Sequence, residues 1–259
     1  MSKELLLKKL GKNHPAFGCW IDMFSSLATE IIAQAGNDCL MIDLEHGPGS
    51  ILDALVQMQA ARAYGPKIYV RVSGNSSSKI KRVLDAGADG VMIPAVSSAE
   101  EARKAVEAAL YAPLGHRGVA STIIRAADYG VKAREYLENF NDQVMVICQI
   151  ETAEGAKNAQ EIVTTAGVDM IFIGPADLSS DLGYPGQQDH PEVIKVISEI
   201  EQTVIREGKV LAGLPTAGRT AADLYKAGYD VVFDGADIGF VVKGAQAKAA
   251  ELRKILGRK

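Results

Sequence analysis

Short apolar runs recur along the chain with almost no polar alternation, and longer stretches of helical composition separate them. Eight such runs occupy 17–20, 38–44, 67–73, 90–96, 144–150, 169–174, 209–214 and 230–234. Runs of this kind fit strands of a parallel sheet buried on both faces. Between them, 51–63, 99–110, 153–166 and 191–207 read as helices. A phrase, Ala-Gly-x-Asp followed by an apolar run, appears at Ala35–Asp38, Ala86–Asp89, Ala166–Asp169 and Ala227–Asp230. Glycine just past a helix adopts the left-handed conformation that closes it, so the phrase predicts a helix-to-strand turn. Eight strands alternating with helices predict an α/β fold, a (β/α)8 TIM barrel spanning 1–259 as a single domain. A doubly wound sheet is the rival, but no G-x-G-x-x-G follows the first strand.

Composition narrows the setting. Hydrophobic residues make up 47% and charged residues 23%, with 28 Lys+Arg against 32 Asp+Glu and a net charge of −4. Slight acidity without basic tracts argues against nucleic acid. No apolar run approaches the roughly 20 residues of a bilayer span. Residues 1–10 carry lysines but no apolar core with a small-residue cleavage site, which predicts no secretory signal and a cytoplasmic protein. Cys19, Cys39 and Cys148 are odd in number, widely spaced and set in apolar stretches, so they are expected to be reduced core residues.

A barrel sorts its polar residues by strand end. Asp38, Asp89, Asp169 and Asp230 stand where strands begin, the face that serves stability; chemistry belongs to the exits. The exits present Trp20, the run Asp43–Pro48, Arg71, Pro94, Gln149–Thr152, Gly174–Leu178, Gly213–Pro215 and Asp234-Gly235. Glu151 and Asp177 leave adjacent strands at similar depth and could ligate one hard cation, Mg²⁺ or Mn²⁺; equally, each could cap the turn or helix that follows. His46 stands before a Gly-Pro turn, where it can serve as a general base or bond a backbone carbonyl. Arg71 would point into the mouth, toward a carboxylate or enolate oxygen or into an internal ion pair. No strand exit carries a lysine, since Lys67 and Lys209 lie at strand starts, so neither a Schiff-base lysine nor PLP is expected. Nucleotide and hydrolase motifs are also missing.

These residues fall in a series of motifs: Asp43-Leu44-Glu45-His46-Gly47-Pro48, Val70-Arg71-Val72, Leu84-Asp85-Ala86-Gly87, Arg117-Gly118-Val119, Gln149-Ile150-Glu151-Thr152 and Gly174-Pro175-Ala176-Asp177-Leu178-Ser179. Together, over nearly the whole chain, they resemble the HpcH/HpaI family of metal-dependent pyruvate aldolases. The resemblance implies that Glu151 and Asp177 bind a divalent metal ion (Mg²⁺, Mn²⁺ or Co²⁺). It implies that Gln149 and the turn Gly174, Pro175, Ala176 and Asp177 hold pyruvate, and Trp20 and Leu214 at neighbouring exits are grouped with them as substrate-binding. His46 is then the base, Arg71 steadies the enolate, and Asp85 raises the basicity of His46, although topology sets Asp85 at a helix end near the opposite face. The implied reaction cleaves a 4-hydroxy-2-oxoacid to pyruvate and an aldehyde. Ala112-Pro113 and the stretch Phe233–Gly239 depart from the family pattern and leave the aldehyde open. Alternatives are an acyl-CoA lyase of the citrate/malyl-CoA type, for which no basic nucleotide surface is evident, and a non-catalytic metal-binding barrel. The resemblance also implies a homohexamer, a dimer of trimers, whose C-terminal helix (238–256) is exchanged between subunits. The long connection 111–129 is expected at a subunit interface, reaching a neighbour's mouth.

Overall fold

Eight parallel strands close into a barrel in strict chain order, as seen in a computed structural model that describes residues 15–258. The 1–10 stretch examined above for a signal lies outside the described residues. The strands are β1 (Ala16–Ile21), β2 (Cys39–Asp43), β3 (Lys67–Arg71), β4 (Gly90–Ile93), β5 (Met145–Ile150), β6 (Met170–Ile173), β7 (Val210–Gly213) and β8 (Val231–Ala236), with β8 pairing back on β1. Around them run α1 (Ser26–Gln34), α2 (Ile51–Ala61), α3 (Ser77–Asp85), α4 (Ala99–Ala109), α5 (Ala133–Gln143), α6 (Ala153–Lys157), α7 (Ala159–Thr164), α8 (Pro175–Asp181), α9 (Pro191–Arg206), α10 (Ala221–Ala227) and α11 (Asp237–Ile255). The expected barrel is present. Among the described residues no helix is long and apolar enough to cross a membrane.

The repeated phrase does what its residues require. Gly36, Gly87, Gly167 and Gly228 all have positive φ, between 88° and 101°, and turn the chain from helix to strand. Each aspartate that follows is tied twice to the preceding strand. Asp38, Asp89, Asp169 and Asp230 donate their N–H to the carbonyls of Phe17, Ile68, Val146 and Leu211. The same four residues donate their N–H groups back to the aspartate carboxylates, at 2.9–3.0 Å. These carboxylates are strand clamps at the end of the barrel away from the exits.

Side-chain parity then fixes what faces inward. Cys39 and Met41, Tyr69, Met92, Met145 and Ile147, Met170 and Phe172, Val210 and Ala212, Val231 and Phe233 fill the interior. Intervening positions such as Leu40, Ile42, Val70, Val146 and Ile171 pack outward against the helices. All three cysteines are buried and free, as expected. One predicted helix, 153–166, divides at Asn158 into α6 and α7. The Asn158 side chain donates to the Ser97 carbonyl (2.9 Å), and its backbone leaves the helical region.

Two segments expose apolar side chains. The helix α11 is anchored at its first residue and presents Phe240, Val241, Val242, Leu252 and Ile255 to solvent. The connection between α4 and α5 does the same with Leu114, Val119, Ile123, Tyr129 and Val131.

Candidate active site

Two residues beyond the last interior side chain of a strand, the same parity delivers its polar groups to the mouth. From Met41 it reaches Asp43, from Tyr69 Arg71, from Ile147 first Gln149 and then Glu151, and from Phe172 Gly174. Trp20, Asp22 and Leu214 follow the same rule on β1 and β7. Trp20, Phe172 and Phe233 form an aromatic floor with ring centroids 5.7–6.0 Å apart. Above it opens a cavity of about 740 Å³ bordered by these residues together with His46, Pro175, Ala176, Asp177, Asp234 and Lys243.

On one side of the cavity, Arg71 is locked in place. Asp43 and Arg71 are direct partners in the β2–β3 register. Asp43 accepts from Nε at 2.9 Å and from Nη2 at 2.6 Å, Glu45 lies 3.2 Å from Nη1, and the guanidinium rests 4.6 Å over the Trp20 ring. Burial opposes the charge, but the Asp43 and Glu45 carboxylates outweigh it and hold the Arg71 pKa above its usual value. The internal ion pair and the position at the mouth are therefore both realised. Asp43 also accepts the N–H of Glu45 at 2.9 Å and, more weakly at 3.4 Å, that of His46, which turns the chain away from the strand. The Phe24 ring fills the space beside Gly47 and Gly49, where any side chain would collide with it. Phe24 holds a positive φ of 52°, unusual for a bulky residue, to reach that position. His46 is thus set on an exposed but braced loop at the rim.

Across the mouth stands Glu151. Its Oε1 accepts the N–H of Ala95 at 2.8 Å, and Ala95 takes a positive φ of 52° at the β4 exit. Its Oε2 accepts from Gln149 Nε2. Burial, together with the nearby Asp177 carboxylate, pushes the Glu151 pKa up to about 7 despite the Ala95 N–H. The opposite end of the same amide, Gln149 Oε1, is buried without a hydrogen-bond partner. A Cβ on Gly174 would fall 2.6 Å from Glu151 Oε2, so glycine is needed to leave these oxygens accessible.

Among the described residues no three His, Cys, Asp or Glu side chains gather closely enough to hold a metal by themselves. Glu151 and Asp177 are a pair of hard-oxygen donors that leaves positions for substrate and water, the pattern a divalent cation such as Mg²⁺ accepts, and the unsatisfied Gln149 oxygen lies beside them with no partner among the described residues. The residues present fit such an ion.

The structure departs from two sequence expectations. Asp85 is not brought to His46 within this chain: it ends α3 and is held by Arg117 Nη2 at 2.5 Å, beneath Tyr111 and Phe140. A lysine does reach the mouth, Lys243 of α11, which an inspection confined to strand exits does not find. It sits on an exposed stretch of helix, unlike the desolvated amine that Schiff-base chemistry needs. Sequence reasoning also left Asp43, Asp22 and Phe24 without roles. For the two aspartates the signal was available, because they share the inward parity of Met41 and Trp20.

Fold and site define a (β/α)8-barrel enzyme with an oxygen-rich centre at the mouth. The family described as HpcH/HpaI aldolase/citrate lyase matches residues 16–243. A 4-hydroxy-2-oxo-heptane-1,7-dioate aldolase of Escherichia coli is 41% identical over 244 residues, covering 93% of this chain and 92% of that protein. A solved HpcH/HpaI aldolase/citrate lyase family protein from Burkholderia cenocepacia superimposes with a TM-score of 0.91 at 32% identity, covering 97% of this chain and all of the other. An HpcH/HpaI aldolase from Desulfitobacterium hafniense gives 0.87 at 29% identity, covering 96% of each chain. The chain belongs to the HpcH/HpaI aldolase/citrate lyase family and is a carbon–carbon lyase.

Proposed function

We propose that this chain is a class II pyruvate aldolase that reversibly cleaves a 4-hydroxy-2-oxoacid to pyruvate and an aldehyde, acting in the cytoplasm. The observation that carries the reading is the buried, unpartnered Gln149 Oε1 beside the Glu151 carboxylate, in a mouth that also holds a clamped arginine. Glu151 and Asp177 would hold a divalent ion, Mg²⁺, Mn²⁺ or Co²⁺, which when bound supplies Lewis acidity toward the carboxylate and keto oxygens of the substrate. Gln149 and the Gly174–Asp177 turn orient the 2-oxoacid on that side, over the aromatic floor. His46 takes the proton of the 4-hydroxyl, the C3–C4 bond breaks, and its electron pair passes into the enolate of pyruvate while C4 leaves as an aldehyde. Arg71, held fixed by Asp43, faces the negative charge that develops on the enolate oxygen without having to reorganise. Protonation at C3 completes pyruvate. The Escherichia coli relative described as a 4-hydroxy-2-oxo-heptane-1,7-dioate aldolase supports the reaction type.

The exposed apolar side chains of α11 and of the α4–α5 connection support a homo-oligomer, in the arrangement the family resemblance implies: a hexamer built as a dimer of trimers, with α11 exchanged. A coupled assay of pyruvate release tests the chemistry. Turnover should vanish in excess EDTA and return with Mg²⁺, Mn²⁺ or Co²⁺; undiminished turnover in EDTA overturns the proposal.

A further inference from the structure

The proposed reaction uses Glu151, Asp177, Gln149, Arg71 and His46, yet two further carboxylates border the same cavity. Asp22 follows the end of β1 and Asp234 lies within β8, two residues before its end, on neighbouring strands whose residues Trp20 and Ala236 pair. Neither carboxylate has a hydrogen-bond acceptor role or an ion pair within the described residues, unlike Asp43, which is committed to Arg71, and Asp237, which accepts the N–H groups of Asp22, Met23 and Ile238. Burial, with the charges of Asp43 and Asp237 behind it, pushes Asp22 up to about 6, so it meets neutral pH largely ionised but poorly solvated. Arg71 and His46 act on Asp22 from β3 and the rim, but Arg71 is already bound by Asp43 and Glu45; Lys243 borders the same cavity, exposed and not paired with either carboxylate.

The position of this wall decides what it meets. In a closed ring of eight strands β1 lies opposite β5 and β2 opposite β6. The 2-oxoacid end of the substrate belongs to β5 and β6, where Gln149, Glu151 and Gly174–Asp177 stand; the part beyond C4 therefore extends toward β1 and β2, and β8 borders that side through its pairing with β1. A cavity of about 740 Å³ holds both halves at once. A second carboxylate at the far end would be brought against two like charges, offset by the exposed Lys243 and by an Arg71 whose charge is already matched by Asp43 and Glu45. Hydroxyl groups there would find ready charged acceptors, which form stronger hydrogen bonds than neutral ones.

We propose that Asp22 and Asp234 make the aldehyde end of this mouth select an uncharged, hydroxylated aldehyde over one that carries a carboxylate. This rests on the aldolase reading and sets the chain apart from the relative described as acting on a heptane-1,7-dioate, whose four-carbon aldehyde product keeps a carboxylate. Discrimination comes as much from the repulsive element as from the new hydrogen bonds.

The test is aldol addition to pyruvate with glyceraldehyde and with succinic semialdehyde, under saturating Mg²⁺, scored as the ratio of kcat/KM for the two aldehydes. The wild-type ratio should favour glyceraldehyde by about tenfold or more. Asp22→Asn with Asp234→Asn should move it toward succinic semialdehyde by about as much, through KM, because the repulsion is lost. The charge-keeping pair Asp22→Glu and Asp234→Glu should retain the preference, which a merely structural role would not predict. A wild-type preference for succinic semialdehyde, or a ratio unmoved by the asparagines, overturns the inference. Should the double variant fail to fold, the exposed Asp234→Asn alone and the wild-type ratio decide. Exchange of pyruvate C3 protons with deuterated solvent separates the two levels: exchange with the wrong ratio sinks only this inference, and no exchange sinks the aldolase reading with it.

Discussion

Asp43 shows how one side chain governs several others. Its carboxylate, 3% exposed, holds the Arg71 fork through two hydrogen bonds and turns the chain toward His46. Asp43→Ala would leave a buried guanidinium without its main counter-charge; we expect a stability loss of about 3–5 kcal/mol in denaturant titration, the range for breaking a buried pair from one side. Arg71→Ala should keep metal affinity by calorimetry but lower kcat by roughly 10²–10³, as for other groups that face developing charge. An effect on KM alone would reassign Arg71 to substrate binding. Asp22 carries a pH signature. Its pKa lies near 6 in the fold against a usual 3.8, so the fold binds its proton more tightly and its contribution to stability falls as pH rises from about 4 through 6. Asp22→Asn should therefore raise Tm at pH 8 and leave it unchanged at pH 3; equal shifts at both would show that charge is not the cause. The sequence announced Arg71, His46, Gln149, Glu151 and Asp177 because each stands at or just past the exit of an apolar run. Asp43 and Asp22 stand at such exits too, but the partner that gives Asp43 its job is 28 residues away in the chain, and only the β2–β3 register joins them.

Elements were read more fully than residues. All eight strands and the four helix-to-strand turns follow from apolar runs and a recurring glycine, since a buried parallel strand and a left-handed helix stop are local requirements. The runs predicted at 67–73 and 90–96 overshoot the strands, because Val72 and residues 94–96 continue the apolar run after each strand ends. The division of α6 from α7 was not legible, as it depends on Asn158 reaching a carbonyl 61 residues away. The strand clamps make their own prediction. Asp169→Ala strands the Val146 N–H at a buried position and should cost about 1–3 kcal/mol in denaturant melts. With pyruvate-release kcat within about twofold of wild type, that result would separate the stability end of the barrel from its mouth; a collapse of kcat with stability intact would contradict the separation.

At the scale of the molecule, a single barrel leaves two things unfinished. Apolar side chains along α11 and the α4–α5 connection have no cover among the described residues, and Asp85, expected beside a histidine, is held by Arg117 on another flank. Both fit an assembly of several copies. Light scattering at micromolar concentration should report an oligomer, and Val241→Glu with Val242→Glu should shift it to smaller species; a monomeric wild type would end that part of the account. The central claim, that the Glu151–Asp177 side of the mouth with Arg71 generates the enolate of pyruvate, has a direct test. Pyruvate incubated with the protein and Mg²⁺ in deuterated water, followed by mass spectrometry, should gain deuterium at C3, and chelator, Glu151→Ala or Asp177→Ala should each stop the gain. Exchange that continues at full rate in excess chelator, or a lysine adduct trapped by borohydride, would contradict it.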